Sequence, residues 1–328
     1  MKLSILDQAP ISTNQTARDA LLGSVKLAQA GEQLGYTRFW IAEHHDLPGL
    51  ACSVPEVMLS YIGAKTSKIR IGSGAILLPH YKPYKVAEIF NMLATLFPDR
   101  IDIGIGRAPG GSAQVTNALS DNFLQNVYKM PILVKDLLHF LDDDYPSENN
   151  YEKIHASPIP TISPRPWLLG TSKKSALLAA EYGMSYTFGL FMSDQEGQEI
   201  IQEYKKAFQP RKEWHTPQVI LTVSAICAET TEKAEELALS SLVWSLQKEE
   251  GERNNGFPSI EEAKEYLKTH PQSLNKNKMI IGNPQEVKKQ LTDLQALYGA
   301  DEIMIVTITH SLQDKIRSYE LIAKALLD

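Results

Sequence analysis

The sequence predicts a (β/α)8 TIM barrel, an α/β fold, on three observations. Eight short segments rich in β-branched and aromatic residues alternate with amphipathic segments of helical period. Strand candidates such as residues 68–71 (KIRI) and 302–306 (EIMIV) are short and mostly apolar, as buried parallel strands are. A length of 328 residues suits one α/β barrel, so we expect a single domain over residues 1–328. A doubly wound open sheet is the alternative.

Local signals along the chain predict the individual elements. The predicted strands cover residues 3–6, 38–42, 69–77, 101–105, 166–170, 186–190, 219–227 and 302–307. The helices with clear boundary signals cover residues 16–35, 83–97 and 172–183, and a further one begins at residue 53. Thr16 and Asp19 have the spacing of a capping box. Gly183 is typical of the residue that follows a last helical turn.

Two intervals are too long for a simple crossover between strands. Residues 142–165, after the fourth strand, are polar and rich in proline. Residues 248–285, after the seventh strand, are charged and rich in asparagine and proline. We interpret both as insertions into the barrel rather than as domain boundaries.

Composition excludes several classes of protein. The net charge of −6 offers no electrostatic footing for nucleic acid. The two cysteines, Cys52 and Cys227, have no ligand-like spacing, so we expect neither a disulfide framework nor a thiolate metal site, as suits the cytoplasm. We expect no signal peptide, because a charge follows the start too early, and no membrane span, because no apolar run is long enough.

The residues with chemical potential follow the ends of the predicted strands. In a barrel of this kind, the loops after the strands carry the chemistry. The unusual stretches lie at four consecutive strand ends: His44 and His45, Ser73-Gly74-Ala75, residues 106–111 (GRAPGG), and residues 170–175 (GTSKKS). Their convergence is the strongest functional signal in the residues themselves.

The stretch at 170–175 has two interpretations. Gly170 lets the backbone approach a ligand closely, and free N–H groups at a helix N-terminus hold phosphate well. Ser172 and Ser175 place two hydroxyl groups on one side of the first helical turn. An ordinary N-terminal cap explains the same residues equally simply.

Arg107 and the small residues of the third strand are also ambiguous. The pattern around Arg107 fits neither the GxGxxG nor the Walker A spacing. Arg107 therefore either reaches an anion at the next strand end or pairs with a carboxylate such as Asp102. Ser73-Gly74-Ala75 either makes room for a flat ring or packs tightly inside the barrel.

The adjacent histidines do not make a simple chelating pair, because neighbouring residues on an extended chain point to opposite sides. A single histidine that faces a cavity suits general acid–base catalysis near neutral pH. A loop histidine on the surface is the alternative. Glu43 either tunes His44 or faces away from it.

Five stretches together resemble the bacterial luciferase-like monooxygenases, a flavin-dependent (β/α)8 family. They are FWIAEHHDLPG at the second strand, IRIGSGAILLPHYKP at the third, DRIDIGIGRAPG at the fourth, WLLGTSKKSALLAAEYG at the fifth and GADEIMIV at the last. The resemblance covers most of the chain, and the order and spacing of the stretches make it specific.

The resemblance implies roles for individual residues. His44 matches the family's catalytic histidine, and Arg107 matches an arginine that contacts flavin phosphate. Gly74-Ala75 matches a non-prolyl cis peptide behind the flavin ring, and Gly106 replaces a reactive cysteine of luciferase. The segment 248–285 is the candidate for a mobile lid. The implied phosphate-binding turn consists of Gly170, Thr171, Ser172 and Ser175.

The expected function is therefore that of a monooxygenase using reduced FMN and O2, with reduced flavin supplied by a separate reductase. We expect a homodimer, with the apolar helix face at 53–65 as the contact. The alternatives are an F420-dependent dehydrogenase, a non-catalytic flavin-binding protein, and a metal hydrolase built on His44, His45 and Asp46. No metal is expected.

Overall fold

Eight parallel strands close into a barrel in the computed structural model, which describes residues 1–213, 215–249, 256–270 and 278–327. The ring closes where β9 pairs with both β1 and β7. All but β8 of the following strands form the ring: β1 (Lys2–Asp7), β2 (Arg38–Ile41), β3 (Arg70–Leu77), β4 (Ile101–Gly106), β5 (Arg165–Gly170), β6 (Ser185–Gly189), β7 (Val219–Cys227), β8 (Met279–Gly282) and β9 (Glu302–Val306). The predicted fold class is confirmed, and each predicted strand agrees with an observed one to within about a residue.

The sequence prediction missed β8. This strand pairs with residues 224–227 of β7, whereas β9 pairs with residues 220–224. It is short and lies inside a charged segment, so its four residues give no periodic signal.

Helices cover the outside of the barrel between the strands. They are α1 (Ala17–Gln33), α2 (Pro55–Gly63), α3 (Pro83–Leu96), α4 (Ala113–Leu119), α5 (Phe123–Tyr128), α6 (Met130–Asp142), α7 (Lys173–Glu181), α8 (Gln198–Ala207), α9 (Thr231–Glu249), α10 (Ile260–Thr269), α11 (Pro284–Tyr298) and α12 (Leu312–Leu326). The predicted capping box between Thr16 and Asp19 is present at α1. Gly183 follows α7 with a positive φ, as expected.

Both insertions lie where they were predicted. After β4, the short helices α4 and α5 precede α6, and residues 143–164 contain no helix or strand. After β7, the insertion contributes α10 and β8. Residues 250–255 and 271–277 of the lid candidate lie outside the described residues.

That residues 1–328 form one domain stays a prediction. No helix among the described residues is long and apolar enough to cross a membrane.

A buried ion cluster fills the amino end of the barrel. Arg38, which is 5% exposed, donates to Asp102 at 2.7 Å and to Glu302 at 2.7 and 2.9 Å. Arg70 also donates to Asp102 at 2.7 Å. Burial alone raises the pKa of Asp102, but the two guanidinium groups bring it below its usual value. The two buried carboxylates, Asp102 and Glu302, are thus both compensated by guanidinium groups.

Removing the cation at the centre of this cluster tests its contribution to stability. Arg38→Ala leaves the buried carboxylate of Glu302 without its guanidinium partner and that of Asp102 with Arg70 alone, so we expect the free energy of unfolding to fall by about 3–5 kcal/mol. Urea denaturation followed by circular dichroism measures the change. Arg165→Ala, which removes an exposed pair with Asp99 at 2.8 Å, is the control; its effect is expected to stay below about 1 kcal/mol. Similar small losses in both variants would contradict the account.

Candidate active site

The four unusual stretches meet at one end of the barrel, the carboxyl rim, where β2, β3, β4 and β5 end. Parallel strands bring their carboxyl ends to the same side, and the pairing of Leu77 with Gly106 aligns the ends of β3 and β4. The loop after β2 contacts the loop after β4, since the N–H of His45 donates to the carbonyl of Gly110 at 2.8 Å. The sequence expectation that these stretches converge is confirmed.

His44 is partly buried at the rim and has a ring nitrogen without a partner. Its backbone N–H donates to the Cys52 carbonyl at 3.0 Å. The buried Nδ1 atom has no hydrogen-bond partner within the described chain. Burial lowers the pKa of His44 to about 4, and the nearby positive charge of Lys248 adds to this. The imidazole is therefore neutral near pH 7 and can accept a proton.

Glu43 faces away from His44 and pairs with His45 instead. Its Oε1 accepts hydrogen bonds from His45 Nε2 at 2.8 Å and from the Tyr81 hydroxyl at 2.6 Å. The sequence left two alternatives open for Glu43, and the structure shows the second, in which Glu43 faces away from His44. The two histidines are consequently in different environments, with His44 unpaired and His45 held by a carboxylate.

The third strand carries a cis peptide at the expected position. The peptide bond between Gly74 and Ala75 is cis, and the register of β3 against β4 shifts at this point. A Cβ atom at position 74 would lie 2.6 Å from Leu6 Cδ1. Tight packing inside the barrel therefore accounts for the absence of a side chain at Gly74, which was one of its two interpretations.

Arg107 has an exposed side chain that forms no hydrogen bond or salt bridge with a described residue. The alternative pairing with Asp102 is wrong, because Arg38 and Arg70 already occupy that carboxylate. Arg107 instead lines a cavity of about 260 Å³ between α6 and α7, together with Lys174 and Ser175. An unpaired cation is thus left at the rim.

The turn at 170–175 contributes Lys174 and Ser175 to the lining of this cavity. A Cβ atom at Gly170 would lie 2.2 Å from Ser175 Oγ, so only glycine fits there. Ser172 and Ser175 cap α7 reciprocally, each side chain accepting from the other's backbone N–H at 3.3 Å. The capping interpretation of the two serines is therefore correct. These capping bonds leave the Thr171 hydroxyl and the first N–H groups of α7 for a ligand.

We call Arg107 together with residues 170–175 the Arg107 corner. The sequence analysis gave no role to Lys174 within this corner or to Tyr186 beside it. The Tyr186 hydroxyl lies 3.1 Å from Ser175 Oγ. Burial raises the pKa of Tyr186 to about 12, against the Ser175 hydrogen bond and the charge of Arg107, which lower it. Lys174 lies inside the quoted motif at 170–175, but the sequence analysis gave it no role. Tyr186 was not within reach of sequence reasoning, because its contact depends on how β6 packs against α7.

No group of three or more potential metal ligands comes together within the part of the chain that the structure describes. His45 is engaged with Glu43, and Asp46 is exposed with a positive φ. The geometry of these residues gives no support to a hydrolytic metal centre.

Comparisons with known proteins relate this chain to one family. The family model for luciferase-like monooxygenases matches residues 1–301. The chain is 43% identical to the uncharacterized protein YwcH of Bacillus subtilis (strain 168), over 100% of both chains. It is 38% identical to the N-acetyl-S-alkylcysteine monooxygenase of the same organism, over 100% of this chain and 98% of that one.

A solved structure of similar sequence has the same fold. The structure of apo-MsnO8 superposes with a TM-score of 0.90 at 34% identity, covering 99% of this chain and 98% of that one. A more distant relative, 24% identical over 89% of this chain and 84% of its own, is the oxygenase component of a flavin-dependent trigonelline monooxygenase of Acinetobacter baylyi. Monooxygenases that depend on flavin are thus among the relatives of this chain.

The environment of His44 makes a prediction about its titration. We expect the imidazole to titrate near pH 4 rather than at the ordinary value of 6.5. Because the unfolded chain binds the proton more tightly than the folded one, the stability contributed by neutral His44 is lost as the pH falls from 6.5 towards 4. NMR titration of the histidine signals measures the pKa, with His44→Gln to assign the resonance. A midpoint near 6.5 would contradict the described burial.

Proposed function

Because the chain belongs to the luciferase-like monooxygenase family, we propose that it is a flavin-dependent monooxygenase that uses reduced FMN and O2 to oxidise a small organic substrate. The observation that carries this proposal is the Arg107 corner, where an unpaired guanidinium lines the same cavity as Lys174 and Ser175 of the first turn of α7. An anion of phosphate size suits such a site, since both the guanidinium and the helix terminus favour negative charge.

The described residues fit FMN at three points of the rim. Arg107, Thr171 and the first N–H groups of α7 would hold the phosphate, with Lys174 as a further cation. Gly170, Ser172 and Ser175 would shape the turn rather than contact the phosphate through their side chains, because the serine hydroxyls already cap the helix. The flavin ring would lie against Gly74 and Ala75.

In this proposal, His44 is the catalytic residue that accepts or returns a proton. Its buried ring is neutral at pH 7 and has one nitrogen without a partner, so it can exchange a proton with a bound molecule. Bound reduced FMN supplies the electrons for oxygen activation, and the protein supplies position and exclusion of water. Trp244, Phe257 and Leu50 form an apolar wall over the loop that follows His44 and would help to exclude water.

For the substrate, thioethers of N-acetylcysteine are the first class to test. The relative named for this chemistry matches over the whole of this chain. The ammonium of Lys248 lies 3.5 Å from the centre of the Trp244 ring and acts electrostatically on His44, which favours a substrate with a carboxylate. The proposed reaction uses O2 on paired donors, which are the substrate and reduced flavin. It needs a supply of reduced flavin, so we also propose a separate flavin reductase as partner.

Two further features support the cytoplasmic location and the homodimer that we expect from the sequence. Cys52 and Cys227 are free and buried, in keeping with action in the reducing cytoplasm. On α2, Val57 and Tyr61 are 64% and 44% exposed, and this apolar face supports the proposed homodimer.

The runner-up is an F420-dependent dehydrogenase. An F420-dependent secondary alcohol dehydrogenase has the same fold, with a TM-score of 0.68 at 15% identity, and this likeness concerns the fold alone. Titration with F420 beside FMN separates the two proposals, because tighter binding of F420 with substrate-dependent reduction would favour the dehydrogenase.

The role proposed for Arg107 in binding the flavin phosphate can be tested by substitution. Arg107→Ala is expected to raise the Kd for FMN about 10- to 100-fold, because hydrogen bonds to a charged group contribute about 1.5–3 kcal/mol. Quenching of flavin fluorescence measures the Kd. Arg18→Ala, which removes an exposed arginine on α1, is the matched control and is expected to bind as the wild type does. An unchanged Kd in the Arg107 variant would place the phosphate elsewhere.

A second substitution separates binding from catalysis at His44. His44→Ala is expected to lower turnover about 100-fold or more, because it removes a general acid–base. Its Kd for FMN should stay within about twofold of the wild-type value, since the phosphate contacts are intact. Oxygen uptake with reduced FMN and a panel of N-acetylcysteine thioethers measures turnover. Equal turnover in the variant and the wild type would rule out His44 as the catalytic residue, and no turnover in either would favour a flavin-binding protein without catalysis.

A further inference from the structure

We propose that Glu43 is a positioning residue for the flavin phosphate, because it holds the loop that carries Arg107 through two separate contacts. The second histidine of the motif, His45, then serves the phosphate site and not proton transfer. This inference rests on the proposed binding of FMN at the Arg107 corner.

The carboxylate of Glu43 is a buried hub at the ends of two strands. Glu43 is only 3% exposed, although it belongs to the loop after β2. Its Oε2 accepts from the backbone N–H of Leu77 at 2.9 Å. Its Oε1 accepts from Tyr81 and from His45, so the carboxylate ties the end of β3 to the loop after β2. Such a charge is stable in the interior only while these donors remain.

The first contact runs from this hub through His45 to the loop after β4. Glu43 fixes the ring of His45, and the backbone N–H of His45 donates to the Gly110 carbonyl at 2.8 Å. Gly110 has a φ of +73°, and a Cβ atom there would lie 3.1 Å from His45 Cδ2. A Cβ atom at Gly111 would lie 2.3 Å from the His45 carbonyl oxygen. The paired glycines thus allow the loop to lie directly against His45.

The second contact runs through the end of β3. Leu77, whose N–H is held by Glu43, leads into the 3-10 turn Leu78–His80. The Nε2 atom of His80 donates to the Pro109 carbonyl at 2.9 Å. Tyr81, the residue after this turn, is bound to the same carboxylate at 2.6 Å. Glu43 therefore holds both ends of the segment that carries His80.

Arg107 lies between fixed points on both sides. Before it, Gly106 pairs in register with Leu77. After it, the carbonyl groups of Pro109 and Gly110 are bound as described. The guanidinium itself has no bond to a described residue, so its position depends on the backbone that carries it. A loop displaced by about 1 Å would misalign the forked donors from an anion at α7.

The test compares two flavins that share a ring and differ in the phosphate. Glu43→Gln keeps the size of the side chain but turns one acceptor into a donor that faces other donors. We expect it to weaken FMN binding about tenfold and riboflavin binding less than about twofold, because only the phosphate depends on Arg107. His45→Leu is expected to act in the same way. His45→Gln, which keeps a donor for Glu43, should recover most of the FMN affinity.

A milder variant and a matched control complete the design. His80→Ala removes the contact with Pro109 together with a stacking contact on Phe123, with ring centres 4.6 Å apart, and it should also lower the affinity for FMN more than that for riboflavin. His155→Leu removes a histidine–carboxylate pair with Asp143 at 2.7 Å away from the rim and should change neither affinity. Circular dichroism and thermal melting establish that each variant is folded.

The outcomes distinguish this inference from the proposed function. Equal losses for FMN and riboflavin would mean that Glu43 acts on the ring site or on folding, and would overturn the inference alone. A wild-type preference for FMN that survives in the folded Glu43 and His80 variants would also overturn it alone. A wild-type protein that binds neither flavin, or both equally, would overturn the proposed phosphate site and this inference with it.

Discussion

The salt bridges of Arg38 with Asp102 and Glu302 fill the amino end of the barrel, and the arrangement of the rim depends on that closure. The guanidinium also lies 4.7 Å from the centre of the Trp167 ring, so the charged cluster and the apolar interior are in direct contact. Above it, Trp40 and Trp167 pack edge to face. Because the interior is filled at the amino end of the barrel, a ligand can bind at the carboxyl rim. The candidate functional residues lie at this rim.

The rim divides into two chemically different regions that share one support. On one side, His44 offers a neutral imidazole with a free nitrogen. On the other, the Arg107 corner offers positive charge without a carboxylate partner. Glu43 lies between them and bonds to neither, but its carboxylate organises the backbone around both. The Glu-His-His motif thus combines one residue suited to proton transfer with two that maintain the site.

Local and periodic signals predicted the barrel well because its strands are buried on both sides and its helices have clear boundaries. The capping box at Thr16 and the end of α7 at Gly183 are examples that depend only on neighbouring residues. The strand Met279–Gly282 was missed, since four residues without alternation look like any short apolar run. The candidate site residues at the strand ends could be proposed from the sequence because the topology of a parallel barrel brings the strand ends together. The partners of those residues could not, because the bonds of Glu43 to Leu77 and Tyr81 depend on the tertiary arrangement of three loops.

The central claim is that an anionic group binds between Arg107 and the first turn of α7. The structural evidence for it is the unpaired guanidinium of Arg107, which lines one cavity with Lys174 and Ser175 of α7, whereas the serine hydroxyls nearby are already engaged in capping the helix. A crystal structure of the complex with FMN tests this most directly. The account predicts the phosphate within about 3 Å of the Arg107 guanidinium and of the N–H groups that open α7. A phosphate bound elsewhere, with this corner occupied by the protein's own side chains, would contradict it.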